Sequence, residues 1–249
     1  MDSHIAPVSG TKDTQNPGRT SFLLWGTVSC FGFIFLIFIG NRYFNLPQIW
    51  FFWLILGWYG VWLGSYLKAR TVTSYNHRFR IHPTSYIGQT WVKGKSNIRG
   101  YWWYMGFSIG LAGMPLFFGF LLEFHFQHLD HINIIIIFLY IGALGIFGQG
   151  VIPINLSFPG HILTTVFAFA GAIAMNIIML LLFSNFGSKY PWGYRIPAII
   201  QIICSIVYMT SYFTRAKPGF FQKLWVISFS FSFLFYGSIF SLYTISPPL

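Results

Sequence analysis

The stretch from Gly148 to His161, GQGVIPINLSFPGH, places polar side chains, two prolines and a histidine between two long apolar runs. The imidazole of His161 is the group there that could act as a general base, but a base needs an orienting partner and usually a second reacting group. No acidic or basic residue lies in the interior of the apolar runs. The pattern therefore predicts no catalytic residue. We expect ligand-binding or interhelical polar contacts from four residues: Gln149, Asn155, His161 and Asn176.

A second polar cluster follows the third apolar run, where EFHFQHLDHIN places two acids and three histidines within nine positions. Imidazole and carboxylate groups are ligands for zinc and other transition metals, and the spacing of His128 and His131 lets both share one helical face. The cluster matches neither the HExxH pattern of zinc proteases nor a zinc-finger pattern. A solvated loop that gains charge below about pH 6 is the alternative. The candidate metal ligands are His125, His128, Asp130 and His131.

A third feature is the longest connection between apolar runs, KARTVTSYNHRFRIHPTSYIGQTWVKGKSNIRG, which contains no acidic residue. Basic and aromatic residues together favour contact with anionic lipid, at about 1 kcal/mol for each Lys or Arg near the surface. A docking surface for an acidic partner and a charge cluster that only sets membrane orientation are the alternatives. The predicted lipid contacts are Arg78, Arg80, Lys93, Lys95 and Arg99.

The composition indicates that the protein lies in a lipid bilayer. Of its 249 residues, 55% are hydrophobic and only 8% are charged, whereas soluble domains carry roughly 25% charged residues. The net charge of +11 is better explained by basic residues in the loops of a membrane protein than by nucleic-acid binding. Cys30 and Cys204 both lie in apolar runs, where we interpret them as small hydrophobic residues.

The apolar runs have the length of membrane-spanning helices, about 20 residues each, and none shows the alternation of a membrane β-barrel. The sequence thus predicts an all-α, polytopic membrane helix bundle. A polar disordered tail at 1–20 precedes a single transmembrane domain at 21–249, which carries a basic cytoplasmic loop at 68–100. The seven predicted spans are 22–40, 49–67, 101–122, 132–152, 161–184, 196–213 and 224–245.

The distribution of Lys and Arg between the loops predicts the orientation of the bundle. With the N-terminus inside, twelve of them lie on the inner side: two in the tail, seven in the 68–99 loop and three in 215–223. Only Arg42, Lys189 and Arg195 lie on the outer side. We therefore expect a multi-pass integral membrane protein with its N-terminus inside and its C-terminus outside, in a membrane that the sequence does not identify.

Residues 141–174, IGALGIFGQGVIPINLSFPGHILTTVFAFAGAIA, resemble part of the DRAM- and Sfk-type multispan membrane proteins and their uncharacterised prokaryotic relatives. In that family a glycine-rich span ends in a Phe-Pro or similar turn, and a histidine opens the next span. The similarity covers about a seventh of the chain and is carried by Gly148, Gly150, Pro153, Pro159 and His161. The family typically has six spans, whereas seven are predicted here. The resemblance implies a membrane protein without established catalytic activity.

Three functions are compatible with these features. The residues favour a non-catalytic membrane protein, either a structural subunit of a membrane assembly or a binder of lipid or another hydrophobic ligand. A channel or transporter for an uncharged or hydrophobic substrate is the first alternative, because coupled transport normally uses acids inside the membrane. A metal-dependent enzyme using histidines is the second. The expected partners are membrane lipids and other membrane subunits, with no nucleic acid, and the sequence identifies no cofactor.

Overall fold

The fold is an all-α bundle, described here for residues 19–129, 131–182 and 191–242 of a computed structural model. A 3-10 turn at Thr84–Tyr86 and a short hairpin of β1 (Trp91–Val92) and β2 (Lys95–Ser96) interrupt the helices. The helices are α1 (Arg19–Tyr43), α2 (Gln48–Val72), α3 (Ile98–His125), α4 (Ile132–Val151), α5 (Phe158–Leu182), α6 (Pro191–Thr214) and α7 (Pro218–Leu242).

All seven helices are long and apolar enough to cross a membrane, which confirms the predicted polytopic helix bundle. Only helices that pair their own backbone groups can cross lipid in this way without closing a barrel. The orientation of the termini stays a prediction. Most of the predicted polar tail lies outside the described residues, and α1 already begins at Arg19.

Helix α3 is the central helix of the bundle. It is largely buried along its length, whereas the apolar side chains of α1 are almost all exposed. Helices α2, α4 and α7 pack against α3, and α5 packs between α4 and α6. Four helices, α1, α2, α4 and α7, therefore pack around α3, and the bundle presents its remaining apolar surface to lipid.

Small residues bring α4 and α5 into close contact. Gly142 of α4 faces Gly171 of α5, and a Cβ atom built on Gly171 would lie 2.5 Å from the Gly142 Cα and 2.7 Å from the Phe138 carbonyl oxygen. A Cβ atom built on Gly145 would meet the backbone of Ala168. Helices in lipid associate closely where such residues let their backbones approach.

Two helices, α6 and α7, begin five or more residues before their predicted spans. Helix α6 begins at Pro191, so Pro197 lies in its second turn. The span predicted from the sequence began at residue 196 and would have placed Pro197 in the first turn. Helix α7 begins at Pro218, six residues before the predicted span, because proline suits a first helical position. As a result Lys223 lies inside α7, although the sequence predicted no charge in the interior of a span.

Candidate functional site

The loop of residues 73–97 lies over one end of the bundle, where α1, α3, α5 and α7 begin and α2, α4 and α6 end. We call this end the basic face. Its five predicted lipid contacts are all exposed. Glu123, the single acidic residue among those that the structure describes, lies at the other end, where its Oε2 accepts a hydrogen bond of 2.9 Å from the Tyr140 hydroxyl. The exposed Lys and Arg of the basic face are Lys68, Arg70, Arg78, Arg80, Lys93, Lys95, Arg99, Arg215 and Lys217.

Asn97 holds the two ends of this loop together. Its Nδ2 donates to the carbonyl oxygens of Ile87 at 2.9 Å and Gln89 at 2.7 Å. Its Oδ1 accepts from the Ser74 amide at 2.7 Å and from the Thr73 hydroxyl at 3.2 Å. Asn97 is buried, so these four bonds satisfy a polar side chain that would otherwise be costly to bury. The loop is therefore an ordered element.

A tight turn presents two of the predicted lipid contacts. The strands β1 and β2 are antiparallel, with Val92 paired to Lys95. Lys93 (φ 49°) and Gly94 (φ 77°) form the turn between them, and positive φ at both positions is typical of type I′ hairpins. Lys93, Gly94 and Lys95 are all exposed. The hairpin therefore holds two ammonium groups at its tip.

Two side chains, Asn155 and Gln222, fasten the loop to the bundle. The Asn155 side chain accepts from the Thr90 amide at 3.1 Å and donates to the Thr90 hydroxyl at 3.2 Å. The Gln222 Oε1 accepts from the amide and the hydroxyl of Thr84. The turn between α4 and α5 and the first turns of α7 thus position the loop.

Lys223 fastens the loop by a different means. Its Nζ donates to the carbonyl oxygens of Phe79 at 2.8 Å, His82 at 3.2 Å and Gly219 at 2.8 Å. These three bonds use all the donors of an ammonium group. The same Nζ lies 4.6 Å from the centroid of the Phe79 ring, and the Arg70 Cζ lies 5.5 Å from it. The Phe79 ring is therefore in contact with two cations.

The rings of Tyr75, His77 and His82 form a cluster near these cations. The His77 and His82 rings are 6.1 Å apart between centroids, and Tyr75 contacts both of them. The His82 Nδ1 accepts from the Arg78 amide at 3.1 Å. Neither ring nitrogen of His77 has a hydrogen-bond partner, although both are buried.

Burial, and after it the positive charges of Lys223, His82 and Arg70, lower the pKa of His77 to about 4. His77 is therefore neutral at pH 7. Because the folded pKa lies below the unfolded value of about 6.5, the unfolded chain binds more protons between these two values. Stability is then fully present above pH 6.5 and is lost as the pH falls towards 4.

We expect acidification from pH 7 to pH 5 to reduce the free energy of unfolding by about 2 kcal/mol through His77. The measurement is the difference in unfolding free energy between the wild type and His77→Gln at each pH. The difference should shrink across this interval, whereas Asn45→Ala, at an exposed position at the other end of the bundle, removes no titratable group and should keep a constant difference. A constant difference for His77→Gln would contradict the prediction.

The four polar residues predicted as contacts lie at separate places and do not form one site. His161 is buried, and its Nδ1 is 2.9 Å from the Ile152 carbonyl oxygen. Asn155 bonds Thr90 of the loop, as described above, and Gln149 is half-buried near the end of α4. Asn176 accepts a 2.9 Å hydrogen bond from the Tyr236 hydroxyl of α7. Since 15 residues of α5 separate Asn176 from His161, about 22 Å of helix lies between them.

The predicted metal ligands are only partly described, since Asp130 lies outside the described residues. Within the described ranges, no three His, Cys, Asp or Glu side chains lie close enough to hold a metal ion. The His125 Nε2 is 2.7 Å from the Leu46 carbonyl oxygen, which occupies one of its two nitrogens. His128 and His131 are exposed. The metal site stays a prediction.

One sequence pattern that the sequence reasoning missed is GFSIG, residues Gly106 to Gly110, which matches the GxSxG pattern of serine hydrolases. In those enzymes the serine lies on a sharp turn between a strand and a helix. Here Ser108 is buried in the middle of α3, where a Cβ atom on Gly150 would meet it. The pattern therefore belongs to the contact between α3 and α4 and has none of the geometry of a nucleophile.

Comparison with known proteins adds no relative. No family model, no curated protein and no solved structure matches the chain. The resemblance of residues 141–174 to the DRAM- and Sfk-type proteins therefore stays a prediction.

Proposed function

We propose that this multi-pass membrane protein is non-catalytic and binds anionic lipid headgroups through its basic face. The observation that carries the proposal is an ordered loop that holds four exposed Lys and Arg side chains, with a fifth, Arg99, in the adjoining first turn of α3. The described residues include no carboxylate at this end of the bundle. An ordered loop presents these cations together, whereas a flexible loop would have to be ordered on binding. If the predicted orientation holds, this face meets the cytoplasmic leaflet, where anionic lipids are concentrated.

Apolar side chains beside these cations support the proposal. Phe79 and Ile81 are exposed next to Arg80, and Trp102 and Trp103 are exposed one turn after Arg99. Amphipathic aromatic side chains favour the level of the lipid headgroups. A face that combines exposed cations with exposed aromatic and aliphatic side chains suits the boundary between headgroups and acyl chains.

The internal polar contacts favour a non-catalytic protein over a channel or an enzyme. A channel would need side chains such as Asn155, His161 and Asn176 to line one cavity, but each of them bonds a different protein group. A general base at His161 would need an orienting carboxylate, and the one described acid is at the other end of the bundle. These contacts are those of packing elements.

The test is lipid titration of the full-length chain in neutral detergent, with phosphatidylserine or phosphatidylcholine as the probe and native mass spectrometry as the readout. We expect the wild type to retain phosphatidylserine in preference to phosphatidylcholine, and less of it as salt is raised. Replacing Arg78, Arg80, Lys93, Lys95 and Arg99 together by Gln should weaken phosphatidylserine retention at least tenfold, since each charge contributes about 1 kcal/mol.

A pair of single variants provides the matched control. Arg80→Gln and Arg42→Gln remove the same charge from exposed positions at opposite ends of the bundle. The first should weaken retention of phosphatidylserine about fivefold, and the second should leave it unchanged. Equal effects of the two variants, or no preference of the wild type for phosphatidylserine, would overturn the proposal.

A further inference from the structure

Two polar side chains near the end of α2, Tyr66 in the helix and His77 in the following loop, have buried polar atoms that make no well-formed hydrogen bond within the protein. Tyr66 is 8% exposed and its hydroxyl has no hydrogen-bond partner, and both ring nitrogens of His77 are buried without one. Arg70 lies one helical turn after Tyr66, so its guanidinium lies beside the Tyr66 hydroxyl, and its Cζ is 5.5 Å from the ring of Phe79, two residues after His77. Buried polar groups are rarely left unpaired, because each has lost its hydrogen bonds to water and gains none in return. Their convergence around one guanidinium points to a ligand.

We propose that Arg70, Tyr66 and His77 form a site for a phosphate monoester group, which deepens the proposed function by naming the headgroup that this part of the basic face selects. An arginine guanidinium can give two parallel hydrogen bonds to a phosphate. The Tyr66 hydroxyl and the N–H of a neutral His77 each give one more. A phosphate monoester has three terminal oxygens to accept them, whereas a phosphodiester has two.

The charges around the site favour an anion over a metal cation. Imidazole pairs bind metals, and His77 and His82 lie close together. However, the Arg70 and Lys223 charges both act on His77, and the described part of the basic face has no carboxylate to offset them. Two positive charges repel a cation and attract an anion. The ligand is therefore an oxyanion.

Each cation near the site has a distinct role. Lys223 has used its donors on the carbonyl oxygens of Phe79, His82 and Gly219, so it contributes charge without a hydrogen bond to the ligand. The Phe79 ring contacts both Lys223 and Arg70 and thereby holds the guanidinium near the loop. Arg70 is exposed, so a ligand can reach it from outside the bundle.

The depth of the site suits a headgroup. Tyr66 lies six residues before the end of α2 at Val72, which is about 9 Å along the helix. The polar region of each leaflet is about 5–8 Å thick, so the Tyr66 backbone lies near the boundary between headgroups and acyl chains when α2 ends at the membrane surface. Free phosphate from the aqueous side has the same chemistry and reaches the same atoms.

The test compares two phospholipids with the same acyl chains in phosphatidylcholine nanodiscs: phosphatidate, a monoester, and phosphatidylglycerol, a diester. We expect the wild type to retain phosphatidate at least tenfold better. Tyr66→Phe removes one hydroxyl without changing any charge, and it should reduce this preference about fivefold while leaving phosphatidylglycerol retention unchanged. Arg70→Gln should abolish the preference. Lys217→Gln removes an equal charge from the same face and should preserve it.

Inorganic phosphate, added to nanodiscs of phosphatidylcholine alone, separates the two sources of the group. The readout is the NMR signals of the His77 imidazole nitrogens. If added phosphate shifts these signals in the wild type but not in Tyr66→Phe, the site binds free phosphate as well as lipid. A response to phosphatidate only assigns it to the headgroup. No preference for the monoester, or a preference that Tyr66→Phe and Arg70→Gln leave intact, would overturn the inference.

The two proposals fail separately. The basic-face proposal depends on Arg78, Arg80, Lys93, Lys95 and Arg99 and on phosphatidylserine. The phosphate-site inference depends on Tyr66 and Arg70 and on the monoester. If the loop variants weaken phosphatidylserine binding but Tyr66→Phe does not change selectivity, only the inference is lost. If the loop variants have no effect while Tyr66→Phe lowers phosphatidate retention, only the general lipid-binding proposal is lost.

Discussion

Replacing Gly171 by leucine should reduce the free energy of unfolding by about 3 kcal/mol or more, because overpacking a close contact is costly. The new Cβ atom would lie 2.5 Å from backbone atoms of Gly142 and 2.7 Å from the Phe138 carbonyl oxygen. These are backbone atoms of α4, so neither a rotamer change nor a small shift can relieve the overlap. Helices α4 and α5 would have to separate along much of their contact.

The measurement is equilibrium unfolding in mixed detergent micelles, followed by the fluorescence of the tryptophans. Gly57→Leu is the matched control, because a Cβ atom at Gly57 of α2 meets nothing within 4 Å. That variant gains helix propensity and should be as stable as the wild type or more so. Unfolding of Gly171→Leu within 0.5 kcal/mol of the wild type, a margin of about the size expected for surface changes, would show that the two helices do not approach as described.

The bundle could be predicted from the sequence because each of its signals extends over many residues and follows from the thickness of the bilayer. Each apolar run has the length that the hydrocarbon core requires, and prolines and polar residues mark the ends. The errors fell where a proline can either end one helix or begin the next. Pro218 begins α7, and this moved Lys223 from a loop into a helix, where its three carbonyl contacts decide how the loop is held.

The candidate site was harder to predict because it depends on distant pairings. The exposure of Arg78, Arg80, Lys93, Lys95 and Arg99 follows from their charge. In contrast, the unpaired groups of Tyr66 and His77 carry no local pattern, since a tyrosine in a span and a histidine in a loop are ordinary. Their significance arises only when the loop is placed over the end of α2. Asn155, singled out for its position in a turn, has its role through Thr90, 65 residues earlier in the chain.

Asn97→Ala should have the second large effect, on the loop and not on the bundle. The change removes four hydrogen bonds and leaves the Ile87 and Gln89 carbonyls and the Ser74 amide without their partner. At about 0.5–1.5 kcal/mol for each of the four bonds, the loop should lose roughly 2–6 kcal/mol. Amide hydrogen exchange in residues 73–97 should therefore rise at least tenfold, while exchange within α3 and α4 should change little.

Two further variants identify the cause of this loss. Asn45→Ala makes the same substitution at an exposed position in the opposite connection and should leave exchange unchanged. Asn97→Asp keeps the acceptor for Ser74 but turns an oxygen towards the Ile87 and Gln89 carbonyls, so it should open the loop at least as far as alanine does. Because all five cations predicted to contact lipid remain in Asn97→Ala, weakened phosphatidylserine retention in that variant would indicate that lipid binding needs the ordered loop. Unchanged retention, with faster exchange, would indicate that charge alone attracts the lipid, and the basic face would then need no fixed geometry.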